Sequence, residues 1–205
     1  YYRKTILVIG LGMTGKSIIK FLEKKECQIY YWDDMVLDKN FSKSKRLEKK
    51  SHDFSIFDYV FISPVISKRH ILIKKAIKFK LPILTDIDLF LYIINFLNLN
   101  NDLICITGTN GKSTVAQMIG KFMKCKPLAN YGNLVLSNVP KYNDKLVLEL
   151  SSFQLDYINT IKPKIAIITN IKKDHLIHHG TYKNYINSKL KISAFQSNKD
   201  FIVLN

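Results

Sequence analysis

The chain has 205 residues, 47% of them hydrophobic, which is ordinary for a globular protein and sufficient for one large or two small domains. The formal net charge of +16 comes from lysines spread along every segment, so we expect a general attraction to polyanions but no specific nucleic-acid site. No apolar run approaches a transmembrane length, and three widely spaced cysteines favour reduced thiols over disulfides or a metal site.

The first half of the chain alternates predicted strands with predicted helices. The strands cover residues 5–9, 28–32, 59–62 and 82–84, and the helices cover residues 16–24, 70–79 and 86–95. Residues 41–50 are rich in Lys and Ser and predict a loop or a surface helix. The alternation predicts an α/β fold, in which a parallel sheet carries helices on both faces.

A glycine-rich turn joins the first predicted strand to the first helix. Gly10, Gly12 and Gly15 fit the pattern G-x-G-x-x-G. Thr14 lies inside this pattern, and Asp33 closes the second strand at about the spacing of a ribose-contacting carboxylate. These residues favour a ligand that places a diphosphate at the helix N-terminus, such as NAD. The alternative is that the glycines only allow tight packing of strand and helix.

A polar string at residues 98–102 is the best domain boundary. It predicts a first domain over residues 1–97 and a second over residues 98–205. After the string the alternation starts again. The further strands cover residues 146–150, 164–169 and 201–204, and the further helices cover residues 152–158 and 182–194. Because the last strand ends at the final residue, we expect the second domain to be incomplete.

The most informative segment is a buried strand that runs into a short loop and then into a helical pattern. The loop and the helix start consist of Gly108, Thr109, Asn110, Gly111, Lys112, Ser113 and Thr114. This order suits a nucleoside triphosphate, because Lys112 reaches the outer phosphates and a hydroxyl of Ser113 or Thr114 ligates Mg²⁺. Ile106 stands where the standard phosphate loop has its first glycine, so the loop is a shorter variant. A chance strand–helix turn is the alternative.

Acidic and histidine side chains follow the next two predicted strands. Glu149 ends one strand, at the sheet edge where parallel sheets bind ligands, and can ligate Mg²⁺ or orient a water. Asp174 and His175 follow the next strand as an oxygen donor and a nitrogen donor. His178 and His179 match no zinc spacing, which predicts a solvated histidine cluster for them.

Together these segments resemble the Mur ligase family, and within it the members that add D-glutamate. The resemblance rests on the motifs GLGMTGKS, TDIDLF, GTNGKST, YGN, ELSSFQL, TNI with DHL, and NYINSKLKI, in this order along nearly the whole chain. It implies a Rossmann-like N-terminal domain for the UDP substrate, followed by a P-loop-type parallel-sheet domain for ATP. The implied reaction phosphorylates the carboxylate of UDP-N-acetylmuramoyl-L-alanine, and the D-glutamate amine then attacks the acyl phosphate, in cytoplasmic peptidoglycan precursor synthesis.

The resemblance also implies roles for individual residues. Lys112 would contact the ATP phosphates. Lys189, which composition and spacing alone predict to be exposed on a helix, matches the lysine that the family carbamylates into an anionic metal ligand. The implied ligands of two Mg²⁺ ions are Ser113, Thr114, Glu149, His175 and Lys189. The implied UDP-sugar contacts are Gly12, Thr14, Gly15, Asp33, Ser63 and Asn133.

The sequence departs from the family pattern in several places. Val65 stands where the family usually has Gly, and the residues 177–179 read Ile-His-His where the family usually has Asp-Arg-His. The family's third domain is missing, so we expect a monomeric fragment without ligase activity of its own. One alternative is a module that binds nucleotide or UDP-sugar without ligation. Another is an NAD-dependent oxidoreductase, which would need neither the phosphate loop nor Glu149.

Overall fold

The computed structural model of the chain describes residues 2–35, 41, 43–48, 53–97, 103–129, 132–141, 144–158 and 160–205. These residues form two compact units, which divide between Asp86 and Ile87. Each unit contains a sheet whose neighbouring strands all run parallel. The predicted α/β class is therefore confirmed.

The first unit is built on a five-stranded sheet. Its strands are β1 (Thr5–Ile9), β2 (Gln28–Trp32), β3 (Ser44–Arg46), β4 (Tyr59–Ile62) and β5 (Ile83–Leu84), and its helices are α1 (Met13–Leu22) and α2 (Ile71–Lys78). The strand order is β3-β2-β1-β4-β5. Because β1 pairs in parallel with both β2 and β4, the carboxyl ends of the three strands lie at the same edge of the sheet. Gly10, Asp33 and Ser63 follow these strand ends.

The strand β3 corrects the prediction of a loop or surface helix over residues 41–50. Ser44, Lys45 and Arg46 pair in parallel with Ile29, Tyr30 and Tyr31 of β2. These three residues are polar and form the edge of the sheet, so they show none of the apolar alternation that marks a half-buried strand. Residues 42, 49 and 50 lie outside the described part of the chain.

The second unit is built on a four-stranded sheet. Its strands are β6 (Leu103–Thr107), β7 (Leu146–Glu149), β8 (Ile165–Ile168) and β9 (Phe201–Leu204), in the order β7-β6-β8-β9. Its helices α4 (Lys112–Met123), α5 (Ser152–Tyr157), α6 (Leu176–His179) and α7 (Tyr182–Leu190) follow successive strands, with a 3₁₀ turn at Lys191–Ser193. Ala116 of α4 packs with Ile104, Ile106 and Val147 of the sheet.

The helix α3 (Asp86–Phe96) bears on the predicted domain boundary. The units divide at the start of this helix, eleven residues before the predicted division at 97/98. Ile87, Leu89, Phe90 and Ile94 of α3 are all buried. The boundary at 97/98 stays a prediction. The polar string, residues 98–102, lies outside the described residues. Among the described residues, every helix is too short or too polar to cross a membrane.

Candidate functional site

The phosphate loop connects β6 to α4 as predicted. Gly108 has φ +152° and Gly111 has φ +80°, and both values lie in the region that favours glycine. A Cβ on Gly108 would lie 1.9 Å from Thr169 Oγ1, so only glycine lets the loop approach the end of β8 so closely. Gly111 is the N-cap of α4. The loop therefore presents backbone groups next to a helix N-terminus, as anion binding requires.

Hydrogen bonds join the phosphate loop to the end of β8. The Thr109 N–H donates to the Asn170 carbonyl at 2.9 Å, and the Asn110 N–H donates to Asn170 Oδ1 at 3.0 Å. In return, Thr169 Oγ1 donates to the Asn110 carbonyl at 2.6 Å. These hydrogen bonds hold the loop against the end of β8, so its backbone conformation is preorganised before a ligand binds.

Ser113 and Glu149 meet beside this loop. Ser113 Oγ donates to Glu149 Oε1 at 2.7 Å, which joins the first turn of α4 to the end of β7. Glu149 is only 7% exposed, and within the described part of the chain no donor reaches its other oxygen, Oε2. A buried carboxylate oxygen without a partner is costly, and a divalent cation satisfies it. The hydroxyl and the carboxylate fit Mg²⁺, which prefers oxygen ligands.

Lys112 lies along the phosphate loop. Its Nζ donates to the carbonyl of Thr109 at 2.9 Å, and its side chain is half-buried. Thr114, the other candidate hydroxyl, is exposed. Of the two hydroxyls predicted as alternatives, Ser113 is the one that contacts Glu149.

Lys189 is buried, with 1% of its surface exposed, so the prediction of an exposed helix position is wrong. Its Nζ donates to the Gly108 carbonyl at 2.6 Å and lies 4.7 Å from the centre of the Tyr185 ring. Burial, followed by repulsion from Lys112, lowers the pKa of Lys189 to about 8. With this pKa roughly one amine in ten is neutral at pH 7, far more than at the ordinary lysine pKa, and the neutral amine is the form that reacts with CO₂.

His175 occupies an unusual backbone conformation. It has φ 49° and precedes α6 as its N-cap, and about half of its side chain is exposed. Its ring lies 4.7 Å from the ring of Phe153 and 6.3 Å from that of Tyr185. A non-glycine residue in the left-handed region costs free energy, and such residues cluster at functional sites.

The spacing predicted a solvated histidine cluster, but the structure shows that His179 is buried. It is 7% exposed, and its Nε2 lies 3.0 Å from Ser152 Oγ. Burial, and next the proximity of His178, lowers the pKa of His179 below its usual range. The sequence could not show this contact, because Ser152 is far away along the chain.

Asn133 lies in the loop after α4, next to the start of α5. Its carbonyl accepts from the Ala129 N–H at 2.9 Å, and the Ala129 carbonyl accepts from Gln154 Nε2 at 3.3 Å. Gln154 also forms a capping box with Ser151 at the N-terminus of α5. Tyr131, part of the YGN motif, lies outside the described residues.

In the first unit, Asp33 holds the glycine-rich turn. Its two carboxylate oxygens accept from the Leu11 N–H at 2.6 Å and the Met35 N–H at 2.8 Å. A Cβ on Gly15 would lie 1.8 Å from the Gly10 carbonyl oxygen, which supports the tight-packing role of this glycine. Both oxygens of Asp33 therefore already have backbone partners, and its clearest role in the structure is to position the turn.

Ser63 completes this edge of the first sheet. It is buried, and its N–H donates to the Ile9 carbonyl at 2.8 Å. A Cβ on Gly12 would lie 3.9 Å from Ser63 Oγ, so Ser63 and the glycine-rich turn are neighbours. Thr14 is half-buried in the first turn of α1.

Sequence reasoning missed two aromatic residues in the second unit. The Tyr185 hydroxyl lies 2.9 Å from Thr109 Oγ1, and its ring faces Lys189. The Phe153 ring contacts the rings of His175, His178 and His179. An aromatic residue at helical spacing predicts only core packing, so neither position carried a recognisable signal.

Comparisons with known proteins agree with this geometry. Residues 106–205 match the Mur ligase middle domain. The chain is 37% identical over 204 residues to UDP-N-acetylmuramoylalanine–D-glutamate ligase of Wolbachia pipientis, covering 94% of this chain and 39% of that protein. It is 32% identical over 222 residues to the protein of the same name from Streptococcus agalactiae, covering 100% of this chain and 48% of that protein. The chain thus spans less than half the length of these two curated relatives.

A solved structure supports the fold. The UDP-N-acetylmuramate:L-alanyl-γ-D-glutamyl-meso-diaminopimelate ligase of Neisseria meningitides is similar, with a TM-score of 0.57 and 15% sequence identity. The match covers 98% of this chain and 71% of that one. At this identity the similarity concerns the fold alone.

Proposed function

The chain belongs to the Mur ligase family, and we propose that it functions in the ATP-dependent addition of D-glutamate to UDP-N-acetylmuramoyl-L-alanine. The observation that carries this proposal is the Ser113–Glu149 pair beside the phosphate loop, in which one buried carboxylate oxygen has no hydrogen-bond partner among the described residues. Hydride transfer to or from NAD would require no such pair, which disfavours the oxidoreductase alternative.

We infer that the phosphate loop binds ATP. The N–H groups of the loop and the N-terminus of α4 would hold the phosphates, and the Lys112 ammonium would neutralise charge on the outermost ones. Ser113 and Glu149 would hold a first Mg²⁺, with Thr114 as the alternative hydroxyl, and His175 would contribute to a second. Bound Mg²⁺ would neutralise the charge that develops on the transferred phosphoryl group. The chain's own residues would orient this group towards the substrate carboxylate.

Lys189 would act as a carbamate. The ammonium first loses one proton to solvent. The neutral Nζ then attacks the carbon of CO₂, a C–N bond forms as one C=O π bond opens onto oxygen, and a second proton leaves the nitrogen for solvent, so that over both steps the cation becomes an anion. The lowered pKa of Lys189 and its burial near Lys112 support this reaction, since the carbamate would replace a repulsion by an attraction. The product would supply carboxylate-like oxygens to a metal ion.

The first unit would bind the uridine diphosphate part of the substrate. The turn at Gly12 and Gly15 would receive the diphosphate, and Asp33 and Ser63 would hold the turn in place. Thr14 is a further candidate contact in this unit. Asn133, in the second unit, is a separate candidate contact to the substrate. Their proposed roles rest on the family resemblance.

A trapping assay tests the first half of the proposed reaction. The chain is incubated with ATP, Mg²⁺, UDP-N-acetylmuramoyl-L-alanine and hydroxylamine, without D-glutamate. An acyl phosphate reacts with hydroxylamine to give a hydroxamate, whose formation should require both ATP and the UDP substrate. The Glu149→Gln variant is the matched negative control, because it keeps the side-chain shape and removes the charge.

Calorimetric titrations with Mg·ATP, the UDP substrate and NAD separate the alternatives. Binding of Mg·ATP and of the UDP substrate without hydroxamate would favour a binding module. Tighter binding of NAD than of the UDP substrate would contradict the proposal for the first unit.

A further inference from the structure

A second group of metal-ligating side chains lies where α5 meets α6. Asp156 is on α5, and His178 and His179 are the last two residues of α6. One ligand atom from each of the three residues lies within 4.8 Å of the others, and His178 Nε2 is 3.9 Å from Asp156 Oδ2. The proposed ATP site uses none of these three side chains.

The chemistry of these donors differs from that of the Ser113–Glu149 pair. Two imidazole nitrogens and one carboxylate oxygen suit zinc and its neighbours in the first transition series, whereas the hydroxyl and carboxylate oxygens of Ser113 and Glu149 suit Mg²⁺. Three protein ligands and one water are a common zinc arrangement. Ligand atoms around a tetrahedral zinc ion are roughly 3.3 Å apart, so small rotations of Asp156 and His178 would close the site.

We propose that Asp156, His178 and His179 bind a Zn²⁺ ion, with water as the fourth ligand, and that the ion ties α5 to α6. This site is independent of the function proposed above. Its neighbours hold the ligands in place: the Phe153 ring lies 4.5 Å from the His178 ring, and Ser152 Oγ is 3.0 Å from His179 Nε2. Such contacts around metal-ligating histidines fix their ring orientation.

The surrounding charges and burial are compatible with this ion. The side chains of His178 and Asp156 are 10% and 21% exposed, so both remain reachable from solvent, while His179 is buried. Burial, and next the proximity of His178, lowers the pKa of His179, which favours the neutral ring that metal ligation requires. Lys191 Nζ donates to the backbone carbonyl of Asp156 at 2.6 Å, and the Asp156 carboxylate would be the negatively charged ligand of the ion.

Co²⁺ is the probe for this site, because tetrahedral Co²⁺ with nitrogen ligands gives strong visible absorption. Untagged protein is titrated with Co²⁺ in millimolar Mg²⁺, which occupies oxygen-only sites, and Zn²⁺ is then added as competitor. The variants are His178→Asn and Asp156→Asn, with His175→Asn and Glu149→Gln as matched controls. Circular dichroism without metal verifies that each variant is folded.

We expect one equivalent of Co²⁺ with a tetrahedral spectrum, displaced by one equivalent of Zn²⁺. His178→Asn and Asp156→Asn should each weaken binding at least tenfold, and both controls should bind within about twofold of the wild type. The proposal is overturned if no tetrahedral spectrum develops, if neither Asp156→Asn nor His178→Asn weakens binding, or if His175→Asn abolishes it. None of these results depends on ATP binding or ligation.

Discussion

Ser113 Oγ donates a 2.7 Å hydrogen bond to Glu149 Oε1, and Glu149 Oε2 on the same carboxylate is buried without a donor among the described residues. The two residues come from α4 and β7, and the parallel order of the sheet brings them to one edge. The hydroxyl thus fixes the carboxylate in one orientation and leaves its second oxygen for a cation. Stability alone would not favour this arrangement, because the unpartnered oxygen is costly.

Glu149→Gln should weaken the Mg²⁺-dependent binding of ATP without lowering the free energy of unfolding. The amide removes the negative charge, so we expect affinity for ATP in the presence of Mg²⁺ to fall at least about tenfold, or about 1.4 kcal/mol. The free energy of unfolding should stay equal or rise by about 1 kcal/mol, since a buried charge is removed. Calorimetry with and without Mg²⁺ and urea unfolding measure the two effects. Glu48→Gln, an exposed change of equal charge, should alter neither.

Lys112→Ala should nearly abolish ATP binding while it leaves binding of the UDP substrate intact. The ammonium lies along the phosphate loop, and the proposed UDP site belongs to the first unit. Calorimetric titration with each ligand is the measurement. Lys121→Ala, in the last turn of the same helix, is the control. Comparable loss of both ligands would mean that the two sites are not separate.

Gly15→Ala should destabilise the first unit far more than Gly12→Ala. A Cβ at Gly15 would lie 1.8 Å from the Gly10 carbonyl oxygen, whereas a Cβ at Gly12 has only Ser63 Oγ at 3.9 Å. We expect a loss of about 3 kcal/mol for the first variant and a change within about 1 kcal/mol for the second. Urea unfolding compares them directly. Equal losses would show that the packing of strand and turn does not depend on Gly15.

Lys189 should make stability depend on pH between about 8 and 10.5. Within this range the folded state has released the proton while the unfolded state still binds it, so stability rises with pH. Relative to Lys189→Met, the wild type should gain up to about 3 kcal/mol across the range. Urea unfolding in CO₂-free buffers at several pH values gives this difference. A difference that stays constant with pH would contradict the lowered pKa.

The sequence predicted those features that are local along the chain. The phosphate loop follows from a short pattern with a known physical basis. The strands predicted over residues 146–150 and 164–169 lie within one residue of the observed strands Leu146–Glu149 and Ile165–Ile168. The parallel sheets followed from the alternation of strands and helices. The first strand and the second matched the structure residue by residue.

The features that sequence could not predict depend on contacts between distant segments. Lys189 contacts Gly108, which is 81 residues away along the chain. The sequence around a single lysine does not predict that its side chain is buried. Asp33 was correctly placed at the end of β2, but its backbone partners Leu11 and Met35 depend on the path of the turn. The spacing of residues in the sequence therefore identified candidate ligand-binding residues. The hydrogen-bond partners and pKa values of those residues could be obtained only from the tertiary structure.

His175 has a left-handed backbone conformation, with φ 49°. At this position the residue that would be best for stability differs from the residue that the proposed metal site needs. Glycine adopts this conformation without steric cost, so His175→Gly should raise the free energy of unfolding by about 1 kcal/mol. The same change would remove the only side-chain atoms that this position can offer to a ligand. If His175 has the proposed metal-binding role, selection for thermal resistance would favour a substitution at this position that selection for metal binding would reject.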